Sequence, residues 1–282
     1  MGKKWTNFDQ KEREGLFGNV YNDLIAMAGE FVGTVLFLLF ALGASQSVAT
    51  NLLETTGATP SSTDAVTKLL GYFYISAAFG LSLFAMASIF YRFTGSIFIP
   101  SVGLALVLCG VIKPVRFVLV SLAQLLGGIV AASILDGLTP GPLAVSVTLA
   151  PGMSRTQGLF IEMFATAALT MSVLMLAAEK HLCTPQAPLG FGLTLWAVML
   201  FSIQSTGGAV NTARAFGPAV ISGFDDYHWI YWLGPTLGSL LAAAFYIMLK
   251  HFHYWRVNPG QDSTDVRDSP ATPVLSPMGS NV

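Results

Sequence analysis

Charge is what this sequence has little of: 14 Lys and Arg and 15 Asp and Glu among 282 residues, 10% in all, where a water-soluble globule carries about 25%. With 53% of its residues hydrophobic, the chain lacks the polar surface needed to face water on every side, which excludes a soluble domain. The net charge of -1 and the absence of any basic patch leave nothing for nucleic acid to bind. Cysteine is scarce too, with Cys109 and Cys183 alone. Both fall in segments assigned below to the cytoplasm, where thiols stay reduced, so no disulfide is expected and both are read as buried apolar thiols. His181, His228, His251 and His253 lie at span ends or in loops; a metal at His251 and His253 is the weaker reading, and solvated interfacial side chains the stronger. There is no nucleophile elbow, phosphate loop or metal-ligand cluster. The chain is therefore expected not to be an enzyme, with no catalytic residue, no metal and no cofactor.

What the sequence has instead is long apolar runs. Crossing a roughly 30 Å hydrocarbon layer takes about 20 apolar residues, and such runs fall near 24–44, 69–91, 115–136, 158–178, 187–205 and 229–250. Six spans put both termini on one side. Lys3, Lys4, Lys11, Arg13, Arg92, Lys113, Arg116, Lys180, Lys250, Arg256 and Arg267 lie in the tails and even-numbered loops, against Lys68, Arg155 and Arg214 opposite. That bias places the tails in the cytoplasm. No removable signal peptide is expected, since no charged n-region and cleavage site precede the first run.

The tails read as disordered, the second turning to Pro, Ser, Asp and Gly after Trp255. Ser269, Thr272 and Ser276 each precede Pro, and MGKKWT offers Gly2 and Thr6 in a myristoylation pattern; linker composition is the preferred account of the first and a lipid adds little to six spans. The division expected is an N-terminal tail at 1–23, a channel domain at 24–250 with repeats at about 24–136 and 158–250, and a C-terminal tail at 251–282.

The sequence also repeats itself. FGLSLFAMASIFYRFTGSIFIPS from Phe79 returns 112 residues later from Phe191 as FGLTLWAVMLFSIQSTGGAVNTA, with 7 of 23 residues identical, Gly80/Gly192, Thr94/Thr206 and Gly95/Gly207 among them. A two-fold repeat in so apolar a chain predicts two halves facing each other across a membrane. Each copy ends in a segment too short to span and too apolar for a loop, Ile99 to Cys109 and Asn211 to Ile221, which reads as a re-entrant half-helix. Non-helical backbone before each, Gly95–Ile99 and Gly207–Asn211, survives at membrane depth only where it is buried in protein or lines a wet cavity. The half-helix N-termini carry about half a positive charge each and repel cations. Glu30 and Glu162 occupy matching places in the first span of each half, and an intramembrane carboxylate needs a partner. They are expected to accept hydrogen bonds from the turn before each half-helix, in preference to a proton relay. Gly29/Gly33, Gly128/Ala132 and Gly234/Gly238 have the four-residue spacing of close helix crossings. Tyr227, Trp229, Tyr231 and Trp232 read as an interfacial aromatic belt.

AGEFVGTVLF, FGLSL, GLFIEMFATA, TGGAVNTARAFGPAV and YHWIYWLGP together resemble the aquaporin, or major intrinsic protein, family from about residue 24 to 255, with wording close to fungal orthodox members. The resemblance implies an all-α membrane protein of six transmembrane helices plus two re-entrant half-helices in an inverted two-fold repeat. It also implies a pore in each subunit, a homotetramer, membrane lipids as surroundings and a plasma-membrane location. The family's two Asn-Pro-Ala motifs are altered here, to Ile99-Pro100-Ser101 and Asn211-Thr212-Ala213, so one of two central amide donors is missing. The selectivity filter carried over from the family is Phe79, Met199, Gly208 and Arg214, with Met199 where water-selective members mostly have histidine. Such a filter is expected to be less polar and wider than in a strict water channel. Ala215 and the pair Tyr231-Trp232 side with the water branch over the glycerol branch. The function implied is a passive channel for water and small uncharged solutes that excludes ions. The alternatives are a pore retuned toward glycerol or hydrogen peroxide, a poorly conducting member with a structural role, and, least, an ion-coupled transporter.

Overall fold

A computed structural model describes residues 20–56, 65–261 and 263–264 of the chain. Gly2, Thr6, Ser269, Thr272 and Ser276 lie outside the described residues. Among the described residues eight α-helices follow one another: α1 Val20–Thr56, α2 Ala65–Thr94, α3 Pro100–Leu108, α4 Pro114–Leu138, α5 Arg155–Val173, α6 Ala187–Thr206, α7 Thr212–Ser222 and α8 Ile230–His251. A π-helical turn at Leu174–Ala178 prolongs α5. Six of these helices are long and apolar enough to cross a membrane, and the two short ones, α3 and α7, are the half-helices that the repeat predicts.

The starts of these helices follow from local chemistry. α3 and α4 each open on proline, whose missing N–H needs no partner in a first turn. α5 opens on a capping box: the Ser154 hydroxyl accepts from the Gln157 N–H at 3.1 Å, and the Gln157 side chain accepts from the Ser154 N–H at 2.9 Å. Together these satisfy two amides that the helix leaves unpaired.

The two halves meet through their identical residues. A Cβ on Gly80 would lie 2.6 Å from the Gly192 carbonyl oxygen, and one on Gly192 would lie 2.6 Å from that of Gly80. Those glycines therefore touch across the pseudo-two-fold between α2 and α6, an approach that any side chain would block. Each half-helix leans on the opposite half. Ser239 on α8 donates its hydroxyl to the Ser101 carbonyl of α3. On the other side a Cβ at Gly217 of α7 would sit 2.2 Å from the Gly128 carbonyl oxygen of α4. The spaced glycines are notches of the same kind: Gly29 receives Phe93 and Thr94, Gly33 the Phe98 ring, Gly234 the Glu162 side chain and Gly238 the Met163 carbonyl.

Two expectations need correction. Tyr231 does not belong to an interfacial belt: it is fully buried, with its hydroxyl bonded inside the protein, because α8 turns this face toward α7 and the preceding turn. Cys183 is exposed and Cys109 only partly covered, since both lie in connections beyond the spans.

Candidate functional site

Both half-helices are approached through the same backbone turn. Gly95, Ser96 and Phe98 have φ of 88°, 52° and 50°, and their counterparts 112 residues on, Gly207, Gly208 and Val210, have 76°, 61° and 52°. Three left-handed residues in five cost about 1–2 kcal/mol for each that is not glycine, so something must hold the turns. Glu30 holds the first, accepting from Ile97 N–H at 3.0 Å and Phe98 N–H at 2.7 Å. Glu162 holds the second, accepting from Ala209 N–H at 3.0 Å, Val210 N–H at 2.6 Å and the Thr206 hydroxyl at 2.6 Å. Both carboxylates are completely buried, and their lone pairs go to the turns.

The same turns use the repeated threonines. Thr94 Oγ1 accepts from Ser96 N–H at 2.9 Å, and Thr206 Oγ1 accepts from Gly208 N–H at 3.3 Å. The sequence reading missed Gln124, whose Nε2 donates to Glu30 at 2.9 Å. An amide in the middle of an apolar span was the signal available for it.

At the centre the half-helices differ. Asn211 caps α7, accepting from Ala213 N–H at 2.9 Å, and its Nδ2 donates to the Phe98 carbonyl at 3.2 Å, so the second motif is bonded directly to the first turn. Ile99 stands at the matching N-cap of α3 with no side-chain bond to give. It packs instead in the main core with Phe98 and Val102. Pro100, Ser101, Thr212 and Ala213 complete the two half-helix starts, and Thr212 Oγ1 donates to the Tyr231 carbonyl at 3.1 Å.

The structure places Arg214 beside Phe79 and Gly208 beside Met199. Arg214 is buried, its Nη1 donates to the Val145 carbonyl at 2.9 Å, and its guanidinium carbon lies 5.3 Å from the Phe79 ring centre, a cation–π arrangement. Its Nε has no acceptor among the described residues. A Cβ on Gly208 would lie 2.7 Å from the Met199 sulfur. A φ of 61° makes any other residue strained at 208, as it does Ser96 in the first turn, and a side chain there would also displace the Met199 thioether. Met199 exposes no surface, and its side chain lies against Gly208.

A cavity of about 490 Å³ leads to Arg214, lined by Lys68, Tyr72, Ser146 and Gly207 among others. A second, of about 370 Å³, borders Thr94, Gly95 and Ile97 and carries Arg92 and Lys180 at its rim. Among the described residues neither lining contains a carboxylate. Near the second cavity Glu179 accepts from Tyr246, Lys250 and Tyr254 at 2.6–2.7 Å, tying the π-turn to the end of α8. Burial raises the pKa of Glu179, but these three donors outweigh it and hold the carboxyl below its usual value. His181 and Lys180 belong to the same connection, His181 Nδ1 accepting from the Cys183 N–H at 3.1 Å. Among the described residues no cluster of histidine, cysteine or carboxylate could hold a metal.

A family model described as Major intrinsic protein matches residues 19–246. The chain is 54% identical over 260 residues to Aquaporin-1 of Laccaria bicolor, covering 92% of this chain and 82% of that protein. It is 47% identical over 252 residues to Aquaporin-2 of Botryotinia fuckeliana, covering 88% of this chain and 65% of that protein. Among solved structures it resembles the aquaglyceroporin of Plasmodium falciparum, with a TM-score of 0.66, 79% of this chain and 95% of that chain covered, and 21% identity. That last likeness speaks for the fold of six spans and two half-helices. On the family model and the identity to its fungal relatives, the chain belongs to the major intrinsic protein family.

Proposed function

We propose that this protein is a passive channel for water and other small uncharged solutes, excluding ions, with Phe79, Met199, Gly208 and Arg214 as its selectivity filter. The observation that carries the reading is the join between the half-helices: the Asn211 amide bonded to the Phe98 carbonyl at 3.2 Å, with two cavities whose described linings carry no carboxylate. Two helix N-termini aimed at one point, with Arg214 beyond them, make the path unfavourable for a cation. The second proton of the Asn211 amide is a donor for a passing oxygen, and Arg214 lines the first cavity. Glu30 and Glu162 are consumed in holding the turns, which speaks against their use as proton relays and against an ion-coupled transporter.

The channel works as a homotetramer in the plasma membrane with both tails in the cytoplasm; membrane lipids surround it, and it takes no cofactor. Support for these points is the positive-charge bias of the loops and membership of the family. Osmotic shrinkage of proteoliposomes tests the function. Water permeability well above that of protein-free liposomes is expected, and equality at matched reconstitution refutes it.

A second reading is favoured by the apolar walls at Phe79 and Met199 and by Ile99 in place of a donor: a pore retuned toward glycerol or hydrogen peroxide. Uptake of each solute by the same vesicles decides it, and background rates for both would end it.

A further inference from the structure

We infer that Tyr231 is a positioning residue of the selectivity filter, clamping both ends of the turn from Thr206 to Thr212 that presents Gly208 and sets Arg214 in place. The inference rests on the filter reading above and adds the part that holds the filter in shape. The Tyr231 hydroxyl donates to the Thr206 carbonyl at 2.9 Å, and the Tyr231 carbonyl accepts from the Thr212 hydroxyl at 3.1 Å. One residue of α8 thus fixes the last residue of α6 and the first of α7, and Gly208 and Asn211 lie between them. Thr206 is fixed a second time by its own hydroxyl on Glu162, at 2.6 Å.

Packing agrees with the bonding. Tyr231 is fully buried in a small cluster of its own with Val147, Ala209, Ala215 and Ile230. Val147 comes from the connection whose Val145 carbonyl holds the Arg214 guanidinium. Ala209 follows Gly208, and Ala215 follows Arg214. The phenol therefore belongs to one cluster with the connection, the turn and the half-helix that position Gly208 and Arg214.

The first half of the molecule has no such clamp. Gly127 meets Thr34 and Phe31 as Gly238 meets Thr166 and Met163, a register of 111 that sets Val120, which has no hydroxyl, against Tyr231, and the residue matching Thr212 is Pro100. Proline fixes the backbone of a helix start through its ring but cannot donate a hydrogen bond. In the second half threonine replaces that ring constraint with a bond to Tyr231. The half carrying Arg214 has both the threonine and the phenol; the other half, with Val102 in the place of Arg214, has neither.

The test uses the full chain in proteoliposomes, with glycerol and water permeabilities measured by stopped-flow light scattering at matched reconstitution. Thermal unfolding in detergent is followed in parallel. Tyr231→Phe keeps the ring and removes one bond. Loosening the turn favours the larger solute, so the glycerol-to-water ratio is expected to rise about two- to tenfold, the range one lost hydrogen bond spans. Thr212→Val, which keeps the phenol, is expected to move the ratio the same way by less. Thr236→Val removes a hydroxyl that bonds only within α8, to the Trp232 carbonyl at 2.7 Å, and should leave the ratio at the wild-type value.

A ratio unmoved by Tyr231→Phe and Thr212→Val, while Arg214→Val shifts it, overturns the clamp and leaves the filter standing. A ratio indifferent to Arg214→Val as well overturns the filter and the clamp together. Should Tyr231→Phe fail to reconstitute, Thr212→Val decides alone. A fall in both permeabilities by the same factor would mark Tyr231 as structural support only and counts against the inference.

Discussion

Ile99→Asn restores at the centre of the pore a donor that the second half already has. Both N-cap residues share a backbone conformation, with φ and ψ of −135° and 114° at Ile99 and −146° and 116° at Asn211. An asparagine at 99 should therefore cap α3 as Asn211 caps α7, its Oδ1 accepting from the Ser101 N–H. Such a cap contributes about 0.5–2 kcal/mol. Against it stands the packing of Ile99, which is 2% exposed; putting an amide with the same number of heavy atoms into that apolar core costs about 1–3 kcal/mol for polar groups left unpaired. The two nearly cancel, so the variant should fold with a melting temperature close to that of the wild type. Its amide can donate to the Val210 carbonyl, the mirror of the bond from Asn211 to Phe98, and to a passing solute. One more hydrogen bond of about 0.5–1.5 kcal/mol at the limiting step raises the rate up to about tenfold. Stopped-flow shrinkage of proteoliposomes at equal protein content measures it. A folded variant whose water permeability is equal to or below that of the wild type would refute the idea that the missing donor limits the pore.

The remaining expectations use other parts of the site. Glu162→Gln replaces an acceptor-only oxygen by an NH2 group facing Val210 N–H or Thr206 Oγ1, and leaving one buried donor unpaired costs about 1–3 kcal/mol; thermal unfolding in detergent should show the loss, and an unchanged melting temperature would contradict it. Gly217→Ala places a methyl 2.2 Å from the Gly128 carbonyl oxygen, a backbone contact that no rotamer change relieves, so a loss of about 1–3 kcal/mol and lower water flux are expected, whereas Gly137→Ala, which meets nothing within 4 Å, should be silent in both assays. His228 lies just before α8 with its Nε2 unpartnered and its ring against Phe224 and Tyr231. Burial lowers its pKa from the ordinary 6.5, with Asp225 pulling the other way. The unfolded chain then binds the proton first, so stability is full above about pH 6.5 and declines as the pH falls below it. Melting temperatures measured from pH 8 to 5 should slope downward in the wild type and less in His228→Phe, and parallel slopes would dismiss the effect.

Most of the architecture could be read from composition and repetition. An apolar run of a given length has few solutions in a membrane, and a repeat with a short apolar ending in each copy leaves the re-entrant half-helix as the one that satisfies its backbone. Glu30 and Glu162 stood out for the same reason, as carboxylates where none is cheap. Tyr231 did not. Among Tyr227, Trp229, Tyr231 and Trp232 it resembles a belt residue, and only the rotation of α8 separates the buried phenol from Trp232, which is 39% exposed. Gln124 was missed because its value depends on facing Glu30 from another helix, 94 residues away in sequence.

What the sequence determined by itself is the number of spans, the two half-helices, their pseudo-symmetry and the places where that symmetry fails, at Ile99 against Asn211 and Pro100 against Thr212. These follow from the local cost of placing backbone and charge in hydrocarbon. The tertiary structure alone decided how the unlike positions are used: that the Asn211 amide reaches Phe98, that the Met199 sulfur lies against Gly208, and that Thr212 bonds to Tyr231. Each of those is a contact between residues on different elements, fixed by how the helices pack to within an ångström, and no local preference of the chain encodes it.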